Sequence, residues 1–228
     1  MLAELHQRIR PTVLAAERTL PVPAALAPLF PAGGLVRGSS LALDGPGATS
    51  VALSLLAELT RTGSWVAVVG LGSLGWAAAA DAGVVLRRTV AVTQPPLSQW
   101  AVVVAALVDA VDVVVVDPRH QVRATDAHRL AARARERGTV MMRLTVPDGA
   151  RRFRWPSEAD VAITAQSRWS GLRSGWGSLE PVSLRLTPSG RRGRPVAPVE
   201  VVIGPAGSVE SAGGVGPAGS VPRLRRVV

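Results

Sequence analysis

SLALDGPGATSVALS, residues 40–54, decides the fold class of this chain. The apolar run SLALD (40–44) leads straight into Gly45-Pro46-Gly47, and helical spacing of apolar residues follows over about 48–61. Strand, glycine-rich loop and helix in that order form the context of a phosphate-binding loop. Such a loop cradles phosphates on backbone N–H groups, neutralises the outer oxygens with a lysine and holds magnesium with a Ser or Thr hydroxyl. Only the first of these is on offer in Gly45–Ser54, because no lysine follows and the 228-residue chain contains none. The plainer reading of GPGATS is a tight turn that lets a sheet and a helix pack closely.

Downstream, strand and helix patterns alternate. Trp65–Val69 reads as a strand, Gly75–Ala82 as a short helix, Val84–Thr93 as a third strand and Leu97–Ala110 as a helix. Val111–Asp117, VDVVVVD, is an unbroken β-branched run of the kind buried in the middle of a parallel sheet, closed by an acid. Asp126–Arg137 reads as an arginine-studded helix ended by Gly138, and Thr139–Val146 as another strand. This alternation predicts an α/β fold with a mainly parallel sheet flanked by helices. After residue 150 the pattern changes to antiparallel strands at Ala159–Ala165, Ser183–Thr187 and Val199–Ile203.

The ends differ from this core. Leu2, Leu5, Ile9, Val13 and Leu14 predict an N-terminal helical arm, interrupted at Pro11, with Pro- and Gly-rich connecting chain to residue 30. Residues 31–203 form the expected core. Residues 204–228 are low in complexity, with GPAGSV at 204–209 and again at 216–221, and are expected to be a disordered tail.

Composition narrows the chemistry. The absence of cysteine excludes disulfides, thiolate metal sites and cysteine nucleophiles, and His6, His120 and His128 are the only imidazoles, so no metal site is expected. The N-terminus lacks the long apolar core of a signal peptide, and Val102–Val116 is broken by Asp109 and Asp112, so a cytoplasmic protein without a membrane span is expected. The formal charge of +10 is uneven. Residues 1–117 hold 7 Arg against 8 acids, a net of −1, whereas 118–228 hold 19 Arg against 8 acids, a net of +11. The basic half is either a contact surface for a polyanion or acidic partner, or an arginine-rich solvated face.

FPAGGLVRGSSLALDGPGATSVALSLL (30–56) resembles the start of the RecA core, where a Gly-Gly-Leu turn precedes a strand and a Gly-Pro-opened P-loop. WVAVVGLGSLGWAAAADAGV (65–84) is similar to the next strand, helix and turn of that family, VTQPP (92–96) to its Ser-Gln-Pro turn, and VDVVVVD to its Walker-B strand. The resemblance implies that Gly45, Pro46, Gly47, Ala48, Thr49, Ser50, Val51 and Ala52 stand where the P-loop would be, with Val51 at its lysine and Ala52 at its magnesium-binding hydroxyl. Leu71 stands near its catalytic glutamate, and Asp117 alone survives, as the Walker-B acid. No cofactor and no enzymatic activity are therefore expected.

With its eroded loop, size and arginine content, the chain is similar to the actinobacterial ImuA-prime family. That resemblance implies a non-catalytic accessory protein of damage-inducible (SOS) translesion synthesis, nucleoid-associated on DNA damage. The implied partner is an ImuB-like Y-family-related protein, with an error-prone α-subunit-type DNA polymerase and the sliding clamp as indirect partners. Self-association and RecA contact are left open. So is single-stranded DNA binding, which the residues themselves raise: Trp155, Trp169 and Trp176 are interleaved with Arg151, Arg152, Arg154, Arg168 and Arg173, and Arg191, Arg192 and Arg194 follow. Bases stack on rings while guanidinium groups hold phosphates. A single-stranded DNA-binding modulator of recombination is thus the alternative function; the plain reading has the tryptophans covering the end of the core.

Overall fold

The computed structural model describes residues 18–117, 120–145, 153–168, 182–191, 197–204 and 208–212. In chain order the strands and helices are β1 (Thr19–Leu20), β2 (Leu35–Val36), β3 (Ser40–Asp44), α1 (Ala48–Arg61), β4 (Val66–Val69), α2 (Trp76–Asp81), β5 (Thr89–Val92), α3 (Trp100–Ala110), β6 (Val113–Val116), α4 (Ala124–Arg137), β7 (Val140–Leu144), β8 (Val161–Arg168), β9 (Val182–Ser189), β10 (Val199–Ile203) and β11 (Val209–Ser211). One nine-stranded sheet runs in the order β11-β10-β9-β8-β3-β7-β6-β4-β5. From β5 to β8 all neighbours are parallel, and from β8 to β11 all are antiparallel.

Helices on both faces explain why the central strands carry no polar alternation. All four residues of β6 are buried, and pleating divides them. Val113 and Val115 join Leu41, Leu43, Met142 and the α1 residues Val51, Leu55 and Leu59 on one face. Val114 and Val116 join Ala67, Val69, Met141, Trp100, Val104, Val108 and Leu130 on the other, under α3 and α4. Residue 138 ends α4 because glycine tolerates its left-handed φ of 73°, and its N–H closes on the Ala134 carbonyl. Among the described residues no helix is long and apolar enough to cross a membrane.

Several sequence expectations need correction. The third strand is only Thr89–Val92, preceded by a 3-10 turn at Leu86–Arg88. It is the sheet edge, with β4 as its neighbour over Thr89–Val92, and the polar pair Arg87-Arg88 falls in the turn before it. β8 is not purely antiparallel: it pairs parallel with β3, Leu43 opposite Ile163, and antiparallel with β9. The region expected to be disordered from residue 204 contributes β11, which extends the sheet beyond β10. The connecting chain also joins the core, since Leu20, Leu26, Leu29 and Phe30 are buried with the α1-side cluster. The helical arm expected before residue 18 and the tail beyond residue 212 lie outside the described residues.

Candidate functional site

Only Gly45, Pro46 and Gly47 separate β3 from α1. Residue 45 must be glycine, because φ is +96° and a Cβ there would stand 2.3 Å from the Ala165 carbonyl oxygen. The N–H groups of Gly45, Gly47 and Ala48 are engaged within the protein. Gly45 N–H donates to Asp44 Oδ1 at 2.8 Å, Gly47 N–H to the Ala165 carbonyl at 3.3 Å and Ala48 N–H to the Gly45 carbonyl at 3.0 Å. The space over Gly47 is filled by Leu184, whose Cδ2 would lie 2.7 Å from a Cβ. Strands β8 and β9 therefore sit against the turn, and Thr49 and Ser50 already belong to the first turn of α1.

The residues that the resemblance sets at catalytic positions lie in the core. Val51, Ala52 and Leu71 are each 1% exposed and share one hydrophobic cluster. Asp117 follows β6 and is buried, with its N–H donating to the Val69 carbonyl at 3.2 Å. β7 lies between the strand of Asp117 and the strand of the loop. Apolar packing thus occupies Val51, Ala52 and Leu71, and Asp117 is the one carboxylate of the set.

The basic residues gather on the other face of the sheet, between α4 and the chain 153–160 that leads into β8. Arg143 on β7 lies against Trp155, its guanidinium carbon 5.3 Å from the ring centroid, and donates to the Ser157 carbonyl at 3.3 Å. Its Nε is buried and has no hydrogen-bond partner among the described residues. Burial pulls the Arg143 pKa below its ordinary value. Trp155 donates from Nε1 to Ser157 Oγ at 3.1 Å and meets the edge of Trp100 at 6.2 Å; Trp100 in turn meets His120 at 5.0 Å. Desolvation lowers the pKa of His120, so it favours the neutral form.

A cavity of about 180 Å³ opens beside Arg143, walled by Ala131, Ala134, Met141 and Trp155. It adjoins a wider depression of about 1080 Å³ lined by Arg123 and Arg154. At the other end buried Asp160 ties the site together, accepting from Ser40 N–H and Oγ at 2.9 Å each and from Arg191 at 3.1 Å.

Of the arginines and tryptophans singled out from sequence, Arg154, Trp155 and Arg191 come together here, while Arg168 is exposed at the far end of β8. Trp155 is half-buried, with Arg143 over its ring and Trp100 against it. Arg151, Arg152, Trp169, Arg173, Trp176, Arg192 and Arg194 lie outside the described residues. Sequence reading missed Arg143, Arg123 and Arg135. The signal for Arg143 was present: it is the lone charge in the otherwise apolar run TVMMRLTV (139–146).

Comparison with known proteins agrees with this architecture. The flagellar accessory protein FlaH from Methanocaldococcus jannaschii superposes with a TM-score of 0.51 at 12% identity, covering 79% of this chain and 92% of that one, which places the fold in the RecA-like class. The uncharacterised protein Rv3395c of Mycobacterium tuberculosis is 33% identical over 149 residues, 64% of this chain and 70% of that protein. Residues 28–151, from the buried Leu29–Phe30 turn through β7, match the MT3502 N-terminal domain. The chain belongs to the MT3502 N-terminal domain family.

Proposed function

We propose that this protein is a non-catalytic RecA-like accessory protein of the ImuA-prime kind, acting in damage-inducible translesion DNA synthesis by binding an ImuB-like polymerase partner. One observation carries the loss of catalysis: the positions that would hold lysine, magnesium hydroxyl and catalytic glutamate are Val51, Ala52 and Leu71, all in one buried cluster. A P-loop without its lysine and hydroxyl forgoes charge-assisted contacts of roughly 1.5–3 kcal/mol each. What remains is a rigid sheet with a basic half, suited to holding partners. The error-prone polymerase and clamp join through the ImuB-like protein, in the cytoplasm and on damaged DNA.

The purified chain should capture an ImuB-like protein in a pull-down without nucleotide and should release no phosphate from ATP. Failure to capture any polymerase component, or phosphate release abolished by Asp117→Ala, would overturn the reading.

A single-stranded DNA-binding modulator is the second reading, favoured by Arg123 and Arg154 along the open depression. Phosphate contacts release counterions, so such binding must weaken steeply with salt. Fluorescence anisotropy with oligothymidylate at two salt concentrations separates the readings, and a flat, negligible signal removes the second.

A further inference from the structure

We infer that the groove between α4 and residues 153–160 is a docking site for an acidic peptide segment of a partner protein. In this mode a carboxylate sits on Arg143 and a neighbouring apolar side chain fills the adjoining cavity. The inference rests on the proposal that the protein works through protein contacts, and it names where one such contact is made.

The charge on Arg143 carries the argument. Arg143 is half-buried, and a guanidinium drawn partly out of water is ordinarily paired, because the desolvation it suffers is offset by an opposite charge. Among the described residues no carboxylate lies within ion-pair distance of Arg143, and its guanidinium donates to a neutral carbonyl, that of Ser157. Its Nε is buried and unpartnered, and desolvation depresses its pKa. Two carboxylates are close by, yet neither serves it: Asp160 is held by Ser40 and Arg191, and Glu158 is exposed. Arg143 lines both the cavity and the wider depression, so an incoming carboxylate can meet its guanidinium and supply the charge-assisted partner that the fold leaves out.

The walls decide between a peptide and a nucleic acid strand. Single-strand binding needs aromatic faces on which bases stack. Trp155 has Arg143 over its ring and Trp100 against it, and Trp100 is only 3% exposed, so neither is an open platform. Instead Ala131, Ala134 and Met141 form the apolar side of a small cavity, about 180 Å³, on the scale of one large side chain, whose remaining walls are polar and carry Arg135, Arg143 and Arg191 beside Glu158 and Asp160. Arginines at positions 123, 135 and 154 flank the groove and favour a segment with several carboxylates.

Selection of a random peptide library on the immobilised full chain tests this. Enriched peptides should combine Asp or Glu with Leu, Met or Phe, and anisotropy with the leading labelled peptide should show binding weakened about tenfold by Arg143→Gln. Arg143→Lys should restore little, because an ammonium lacks the planar fork. Ala131→Phe, which fills the cavity and leaves Arg143 in place, should weaken the peptide comparably, with thermal melting confirming that each variant is folded. Three outcomes overturn the site: no acidic consensus, peptide binding indifferent to both variants, or displacement by oligothymidylate that depends on Arg143. Polymerase capture separates the two proposals. If Arg143→Gln captures the ImuB-like protein as well as the parent does, the groove is not that contact; if acidic peptides bind through Arg143 while the polymerase is not captured, the groove stands and the translesion reading falls.

Discussion

Val51 is the residue that the resemblance sets at the P-loop lysine. Its side chain is 1% exposed among Leu41, Leu55 and Leu59, so Val51→Lys, which rebuilds the missing P-loop lysine on paper, would bury an ammonium with no partner. The expected loss is about 3–5 kcal/mol, a fall in melting temperature on the order of 10 °C for a chain this long, with no phosphate release gained. A folded Val51→Lys protein that hydrolyses ATP would reverse the assignment of this loop. The two glycines beside it test the same packing in graded form. Gly45→Ala meets a backbone carbonyl at positive φ and should cost about 2–4 kcal/mol, whereas Gly47→Ala meets the end of the Leu184 side chain and should cost about 1–2 kcal/mol. Chemical denaturation reads both. The missing lysine was legible because absence of a residue type needs no coordinates. The unpaired charge on Arg143 was not, since a lone arginine in an apolar run states neither which face it takes nor whether an acid waits there.

At the scale of elements, α3 and α4 are joined by charge. Asp109 near the end of α3 accepts from Arg133 Nε at 2.7 Å and Nη2 at 2.5 Å, and from Arg137 Nε at 3.0 Å, both on α4. The Arg133 hydrogen bond is the main force holding the Asp109 pKa down to about 2 against the opposing effect of desolvation. The folded-state pKa therefore lies below the unfolded value of about 4. Its contribution to stability is present above pH ~4 and is lost as pH falls toward 2. Acid unfolding followed by circular dichroism should accordingly show a smaller stability loss between those pH values in Asp109→Asn than in the parent, with the parent the more stable near neutrality. Equal acid slopes would remove Asp109 from the account. The elements themselves were largely readable from periodicity, β6 and α4 above all, because long buried or amphipathic runs announce their period. β8 was read with the wrong partner on one side: VAIT alternates as an antiparallel strand would, but its parallel contact with β3 is set by the chain 153–160 crossing the sheet, which leaves no helical period in sequence.

For the whole molecule, the sheet is a parallel core from β5 to β8 continued by the antiparallel ribbon β8-β9-β10-β11, and the ribbon is what occupies the space over the turn Gly45–Gly47. The ribbon's outer end depends on a segment that composition alone assigns to a tail. The hexapeptide GPAGSV occurs twice, and in its first copy Gly204 N–H donates to the Ser208 carbonyl at 2.9 Å and Val209 stands opposite Ile203. An available strand edge and partly buried Val209 supply what the local sequence lacks, so tertiary pairing overrides a weak propensity. Both β10 and β11 also pack on the turn Ala24–Leu29, tying the start of the described chain to its end. Removing everything after Ile203 should therefore strip a strand from the sheet and uncover the side of Leu26 and Leu29, whereas removing everything after Ala212 keeps both. Compared with each other by thermal and denaturant unfolding, the shorter protein should be less stable by about 1–3 kcal/mol. Equal stabilities would mean that β11 adds nothing to the fold. Partner capture measured on the same pair then locates the contact: binding kept by both places it on the sheet and α4, and binding lost only with β11 places it at the ribbon's edge.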